Sequence, residues 1–461
     1  MLLALILMLS ASGCRQRTES GGDAMTEISA EGMPDYSADV EDKVFTIGQW
    51  VNVPNRYSWL NYDTGRIEYG DTLTDEEFEL QYRYIKEAGI TLASNQLGEG
   101  STAACVKLLR NAEKQGLQQI VFDSALRNVL LDSSISDGEA VERGMELVES
   151  YKDSPALAGH SMEDEPTFSE LEGLARAYKR YRYIFPDKLF YTNLFPVIAP
   201  AFVIGNSYAD YVKESVQAIP EKMISYDHYP LYGDGINTSV IDNFLLNMET
   251  VALNKRTDQE MWTFLQSGNS AGTRDPETYA DVAWQFYSFL AFGGRGVWWF
   301  CYSEVPSEGF RGMINGKGER TDAYYLVQKV NLEVLAFDHI YLNFDWRGVL
   351  TYAGSKAGRR NANFENLGPS LLDGHERISS VTSEQDLLVG AFRDGEGRDG
   401  FMLVNFADPG KLLSSKTEVR FNDCTKALVV RHGEQKAYSL KNGVFTAELE
   451  AGEGCFIIPV R

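Results

Sequence analysis

Residues 157–166 read LAGHSMEDEP, so Glu163, Asp164 and Glu165 stand side by side and Pro166 closes them off. Like charges held this close repel, and a carboxyl kept protonated by its neighbours can donate a proton near neutral pH. Further along, ISYDHYP supplies Asp227, His228 and Tyr229. Two carboxyl groups flanking one bond can run acid-catalysed cleavage of a glycosidic link. Amides and flat rings complete the set of chemistry-bearing residues: Trp50, Asn95, Gln96, Asp123, His160, Asn193, Gln266, Trp298, Tyr302 and Glu304. Hydroxyl-rich ligands need that mixture, with carboxylates and amides for the hydroxyls and aromatic faces for the rings.

These residues do chemistry together only if the fold gathers them. From residue 41 the chain repeats a short apolar run, a polar loop and an amphipathic helix. The runs are 43–50, 90–97, 117–125, 156–164, 188–195, 222–230, 260–267 and 296–304. Several are nearly continuous in apolar residues, as parallel strands covered on both faces are. Thr167 with Glu170 has capping-box spacing, Asp275 before Pro276 reads as a helix start, and Gly293-Gly294 as a helix end. This pattern predicts an α/β chain whose main body is a (β/α)8 barrel over residues 41–342. A doubly wound open sheet is the alternative, weakened by the lack of a glycine-rich phosphate loop after the first run. In a barrel, the polar residues above fall at the C-terminal ends of the strands, where active sites form. Trp298 and Trp299 point to opposite faces of their strand, and Trp298 is taken as the one facing the pocket.

After about residue 343 the texture changes to short strands broken by Gly, Asp and Asn, with turn signals at 396–400 and 440–443. Residues 343–461 are therefore expected to form a small antiparallel β-sandwich. The start, MLLALILMLSASGCRQ, is an apolar run too short to span a bilayer, followed by small residues and Cys14. It resembles a bacterial lipoprotein signal peptide over residues 1–14, although no Lys or Arg precedes the apolar run. That resemblance implies export and a lipid anchor to a membrane through Cys14, at the cell surface or in the periplasm. Residues 15–40 read as a flexible tether. Cys105, Cys301, Cys424 and Cys455 match no zinc pattern, and a bridge between the last two is left open. No metal and no cofactor is expected. The formal net charge of −23 makes nucleic acid a poor partner. Oligomeric state is not legible.

The motifs GHSMEDEP, YTNLFP, ISYDHYP and WQFYSFLAFGGRGVWWFCY, in that order, resemble bacterial secreted barrel proteins described as beta-galactosidase-like or clan A-like glycoside hydrolases. The resemblance implies a carbohydrate substrate and makes Glu165 the acid/base residue at the end of the fourth strand. It also implies a nucleophilic glutamate at the end of the seventh, where this chain has Gln266, an amide that cannot form a glycosyl ester. The second group is then Asp227, or the substrate's own acetamido group oriented by Asp164, or Glu304. Trp50, Asn95, Asp123, Asn193, His228, Tyr229, Gln266, Trp298 and Glu304 are the candidate substrate-binding residues.

Each candidate also has a plain structural use. Glu165 can complement a helix dipole, Asp227 and His228 can fix a loop, Asn193 and Gln266 can satisfy buried backbone, and His160 can be an interior histidine. Two functions remain open: a glycosidase acting on an oligosaccharide or glycoconjugate, and an inactive glycan-binding surface lipoprotein.

Overall fold

The computed structural model describes residues 25–40, 43–51, 53–95, 100–233, 238–269 and 272–461. Cys14 and the apolar start lie outside them, as does Gln96. Among the described residues no helix is long and apolar enough to cross a membrane.

Strand β1 (Met25–Ile28) pairs antiparallel with a strand near the C-terminus. Tyr36 donates its hydroxyl to Asp394 at 3.0 Å. Residues 25–28 of the expected tether thus belong to the C-terminal sheet, and Met33 and Tyr36 beyond them are buried in the core. The strand's few apolar residues suffice because an edge strand is held by its backbone pairing.

The barrel is closed by eight parallel strands: β2 (Thr46–Gln49), β5 (Leu92–Ser94), β6 (Gln118–Val121), β7 (Leu157–Asp164), β8 (Leu189–Leu194), β9 (Met223–Tyr226), β10 (Glu260–Gln266) and β11 (Gly296–Phe300). Each falls inside a run predicted from sequence. Between β2 and β5 the chain inserts a hairpin, β3 (Arg56–Asn61) and β4 (Arg66–Thr72), that the sequence reading did not foresee. The barrel interior is a plug of inward side chains, including Trp50, Leu92, Ile120, Tyr191, Met223, Trp262, Phe264 and Trp298. Gly48 of β2 has no side chain because the Trp298 ring takes its place: a Cβ there would lie 2.2 Å from that ring.

The C-terminal domain is a sandwich of two antiparallel sheets. Its strands are β12 (Phe344–Tyr352), β13 (Ile378–Ser383), β14 (Leu387–Asp394), β15 (Asp399–Asn405), β16 (Ser415–Phe421), β17 (Lys426–Arg431), β18 (Glu434–Leu440), β19 (Val444–Leu449) and β20 (Gly454–Val460). The larger sheet runs β1-β18-β17-β20-β15-β14-β12 and the smaller β13-β16-β19. The turn expected at 440–443 is a passage from one sheet to the other, since β18 pairs with β17 and β19 with β16. Cys424 and Cys455 are free buried thiols.

The helix Tyr279–Ala291 joins the two domains. It is apolar on nearly every side, and Ala280 through Ala291 are all buried between barrel and sandwich. Its start is capped by Thr278 with Asp281, not by Asp275. Asp275 instead accepts from the Asn269 amide at 2.9 Å and from Arg311 at 3.0 Å.

Candidate active site

The acidic cluster owes its layout to a bulge. Along β7, Ser161 faces β8's Tyr191, but the register shifts before Glu163, which then pairs with Thr192 while Asp164 pairs with Asn193. One extra residue reverses the alternation. Glu163 is left on the helix side, where Arg127 binds both its carboxylate and the Met162 carbonyl. Asp164 is left at the mouth beside Asn193. Glu165 follows with φ of 52°, a left-handed conformation that costs a non-glycine residue roughly 1–2 kcal/mol. Its amide is tied to the Asn193 carbonyl at 2.8 Å. Strained residues of this kind collect at functional sites. Pro166 then leads into the predicted capping box, in which Glu170 accepts from the Thr167 amide at 2.7 Å.

Three carboxyl groups meet at this end of the barrel. Burial pushes Glu165 above the usual carboxylate range, against a hydrogen bond with Asp227 that lowers it. Two carboxylates make that bond only if one holds a proton. Asp227, buried at the end of β9, is pushed well up by burial and then by the charges of Glu165 and Asp164. Its Oδ1 is buried and has no hydrogen-bond partner among the described residues. Asp164 is open to solvent on one side and otherwise walled by protein; burial, then Glu165, pushes it up to about 7. Among the described residues no Lys or Arg forms an ion pair with any of the three.

Below them runs a hydrogen-bond chain. Asn193 bonds Asp164, its Oδ1 accepts from the Ser225 hydroxyl at 3.0 Å, and Ser225 meets the Tyr191 hydroxyl at 2.9 Å. Tyr229 stands beside the trio, half-buried against Phe300, and burial together with the charges of Asp227, Asp164 and Glu165 raises its phenol. Sequence reading missed Tyr191 and Ser225. The signal was there, since each lies two residues before a named one, Asn193 and Asp227, and so on the same strand face.

Other candidates are placed elsewhere. Asp123 turns to the helix side, where it caps the helix Ser124–Leu131 and accepts from Tyr151 at 3.0 Å. Asn95 is buried and ties β5 to the Phe122 backbone. His160 sits between Tyr151 and Tyr181, and burial holds it down to about 3. His228 contacts the Val240 carbonyl at 2.8 Å and Asn247 at 3.0 Å, fixing the loop after β9. Trp50 and Trp298 face inward as expected but are sealed in the barrel plug, against each other and Tyr191, rather than open to a sugar face. Gln266 also faces inward, fully buried, and accepts from the Leu231 amide at 2.7 Å; its Nε2 is unpartnered. Glu304 accepts from the Gly316 amide at 2.7 Å, closing its own loop. The structure therefore brings Asp164, Glu165, Asn193, Asp227 and Tyr229 together. Among the described residues no cluster of His, Cys, Asp and Glu is arranged to hold a metal ion.

Fold and mouth define a (β/α)8 barrel with an acidic rim, carrying a C-terminal β-sandwich. No protein-family model matches the chain, and no curated protein matches it in sequence. Solved structures match its fold. A glycoside hydrolase of family 5 from Bacteroides vulgatus aligns over 90% of this chain and 89% of its own, with 14% identity and a TM-score of 0.50. An Anoxybacillus alpha-amylase aligns over 90% and 98%, with 10% identity and a TM-score of 0.51. A beta-galactosidase from the psychrophilic Marinomonas ef1 aligns over 57% of this chain at 11% identity and a TM-score of 0.43, and the aligned part spans 58% of that protein's length.

Proposed function

We propose that the protein is a glycosidase in which Glu165 is the proton donor to the leaving oxygen. The observation that carries this reading is the Glu165–Asp227 pair: two carboxyl groups in contact at the barrel mouth, both pushed up, with no Lys or Arg ion-paired to either among the described residues. A protonated carboxyl near neutral pH is what leaving-group protonation requires.

The same contact argues about the second group. Carboxyls that act from opposite faces of a sugar stand about 5–5.5 Å apart in retaining enzymes and about 6.5–9.5 Å in inverting ones. Glu165 and Asp227 are in hydrogen-bond contact, too close to flank a sugar from opposite faces, and the chain carries an amide at Gln266. Attack by the substrate's own 2-acetamido group fits this layout. Asp164 accepts from the acetamide N–H, the acetamide oxygen bonds to the anomeric carbon, and the glycosidic C–O bond breaks as the Glu165 proton moves to the leaving oxygen. Water, deprotonated by Glu165, then opens the cyclic intermediate. Asp227 sets when Glu165 holds its proton. Export and lipid anchoring through Cys14 belong to this reading on the strength of the leader sequence alone.

A panel of nitrophenyl glycosides with and without the 2-acetamido group tests it. Turnover confined to 2-acetamido sugars, reduced about 10²–10⁴-fold in Glu165→Gln, is the expected result. Binding of those sugars without turnover by the wild-type protein leaves the glycan-binding reading, which the sealed amide at Gln266 favours.

A further inference from the structure

The segment that leaves β8 reads FPVIAPAFVI over residues 195–204, ten residues without one polar side chain. It lies on the rim of the mouth. Val203 and Ile204 are buried and anchor it, while Phe202 is 89% exposed and Ile198 38%. Phe168, three residues after Glu165, is 42% exposed and adjoins the same surface; its ring lies 3.2 Å from where a Cβ on Gly205 (φ +78°) would stand. The shelf is held rather than loose. Asn247, itself buried, accepts from the Val197 amide at 2.7 Å, and the Tyr211 hydroxyl binds the Pro166 carbonyl.

We propose that this shelf receives an apolar leaving group, so that the substrate is a glycoconjugate with an alkyl or aryl aglycone rather than a plain oligosaccharide. The inference rests on the glycosidase reading and sharpens it. Its first ground is continuity with the acid. The Asn193 carbonyl that holds the Glu165 amide is two residues from Phe195, and Phe168 follows Glu165 on the other flank. The group that takes the Glu165 proton leaves on this side. Its second ground is chemistry. A second sugar resting on residues 195–204 gains ring stacking on Phe202 but finds no side-chain donor or acceptor for its hydroxyls, whereas an alkyl chain loses nothing there and gains from burial over the whole shelf. Its third ground is charge. A chain at −23 is repelled by an anionic bilayer, which disfavours lipid as the occupant of this surface.

The test compares octyl and methyl N-acetylglucosaminides, in both anomers, with wild type, Phe202→Ser and Phe168→Ser. Wild type is expected to favour the octyl compound in kcat/KM by about tenfold, the gain from burying roughly two methylene groups. The ratio is expected to fall toward one in Phe202→Ser. A folding defect lowers both rates and leaves the ratio alone, so the ratio reads the shelf. A wild-type ratio near one, or a preference unchanged in both variants, overturns the proposal. If neither compound is turned over, the nitrophenyl panel decides the glycosidase reading separately, and calorimetry decides the shelf: tighter octyl binding lost in Phe202→Ser supports it, equal binding overturns it. Phosphatidylcholine vesicles that capture wild type but not Phe202→Ser, with no octyl preference, assign the surface to membrane and also overturn it.

Discussion

The buried carboxylates of the sandwich and those of the barrel mouth are the same residue types put to opposite uses. In the sandwich three of the four buried carboxylates are answered by arginine, and the fourth, Asp386, accepts from the Gly354 amide at 2.9 Å and the Asn361 side chain at 3.0 Å. Asp394 pairs with Arg398 at 2.6 Å, Asp399 with Arg377 at 3.2 Å and Arg393 at 2.8 Å, and Glu453 with Arg431. Despite burial, Asp394 is held below the usual range by Arg398 and by hydrogen bonds. At the mouth, Asp164 is bonded by Asn193 and Glu165 by Asp227, none of the three forms an ion pair with Lys or Arg among the described residues, and all three are pushed up. Even within the acidic triplet the division holds, since Glu163 faces Arg127 and its two neighbours do not. A charge meant to hold the fold is met, where it is buried, by arginine or, as at Asp123 and Asp386, by amide and hydroxyl donors. A charge left unanswered in a recess is a proton store, and the fold carries it at a cost in stability.

That contrast can be broken from either side. The largest stability effect is expected in the sandwich. Glu453→Gln leaves Arg431 facing an uncharged amide and lowers unfolding free energy by about 3 kcal/mol in urea denaturation. The mouth moves the other way. A carboxyl whose folded pKa is raised binds more protons in the native state than in the unfolded one, so the stability it gives below its unfolded pKa is lost as pH rises through its folded value. Asp227→Asn removes that loss. The variant is expected to match wild type near pH 4 and to exceed it by about 1 kcal/mol near pH 8, read by the same denaturation curves. A smaller effect sharpens the comparison in the pH profile. Activity falls on the alkaline side as the mouth loses its proton. In Asp227→Ala, which removes the Asp227 hydrogen bond that lowers Glu165, this limb moves up by as much as about one pH unit.

The barrel was legible because its eight strands are short apolar runs between capped helices, and each run contains an observed strand. The site was legible only in part, for a reason those runs share. A strand apolar on both faces has no alternation, so the sequence says which residues reach the strand end but not which way they turn. Asp123 and His160 reach the right end and face the helices; Trp50 and Trp298 face inward and are buried in the plug. The bulge that sends Glu163 outward and Asp164 inward leaves no mark in the sequence. The contact between Glu165 and Asp227 joins residues far apart in the chain, and only the closed sheet shows it. The strand at Met25–Ile28 was hidden because its partner, β18, lies at the other end of the chain.

The most direct test of the account is a carbon NMR titration of the protein labelled at its glutamate and aspartate carboxyls. One glutamate carboxyl is predicted to titrate above the ordinary range, to vanish in Glu165→Gln, and to leave Asp227 titrating lower in that variant. Glutamate carboxyls that all titrate at or below ordinary values, unchanged by the substitution, would contradict it.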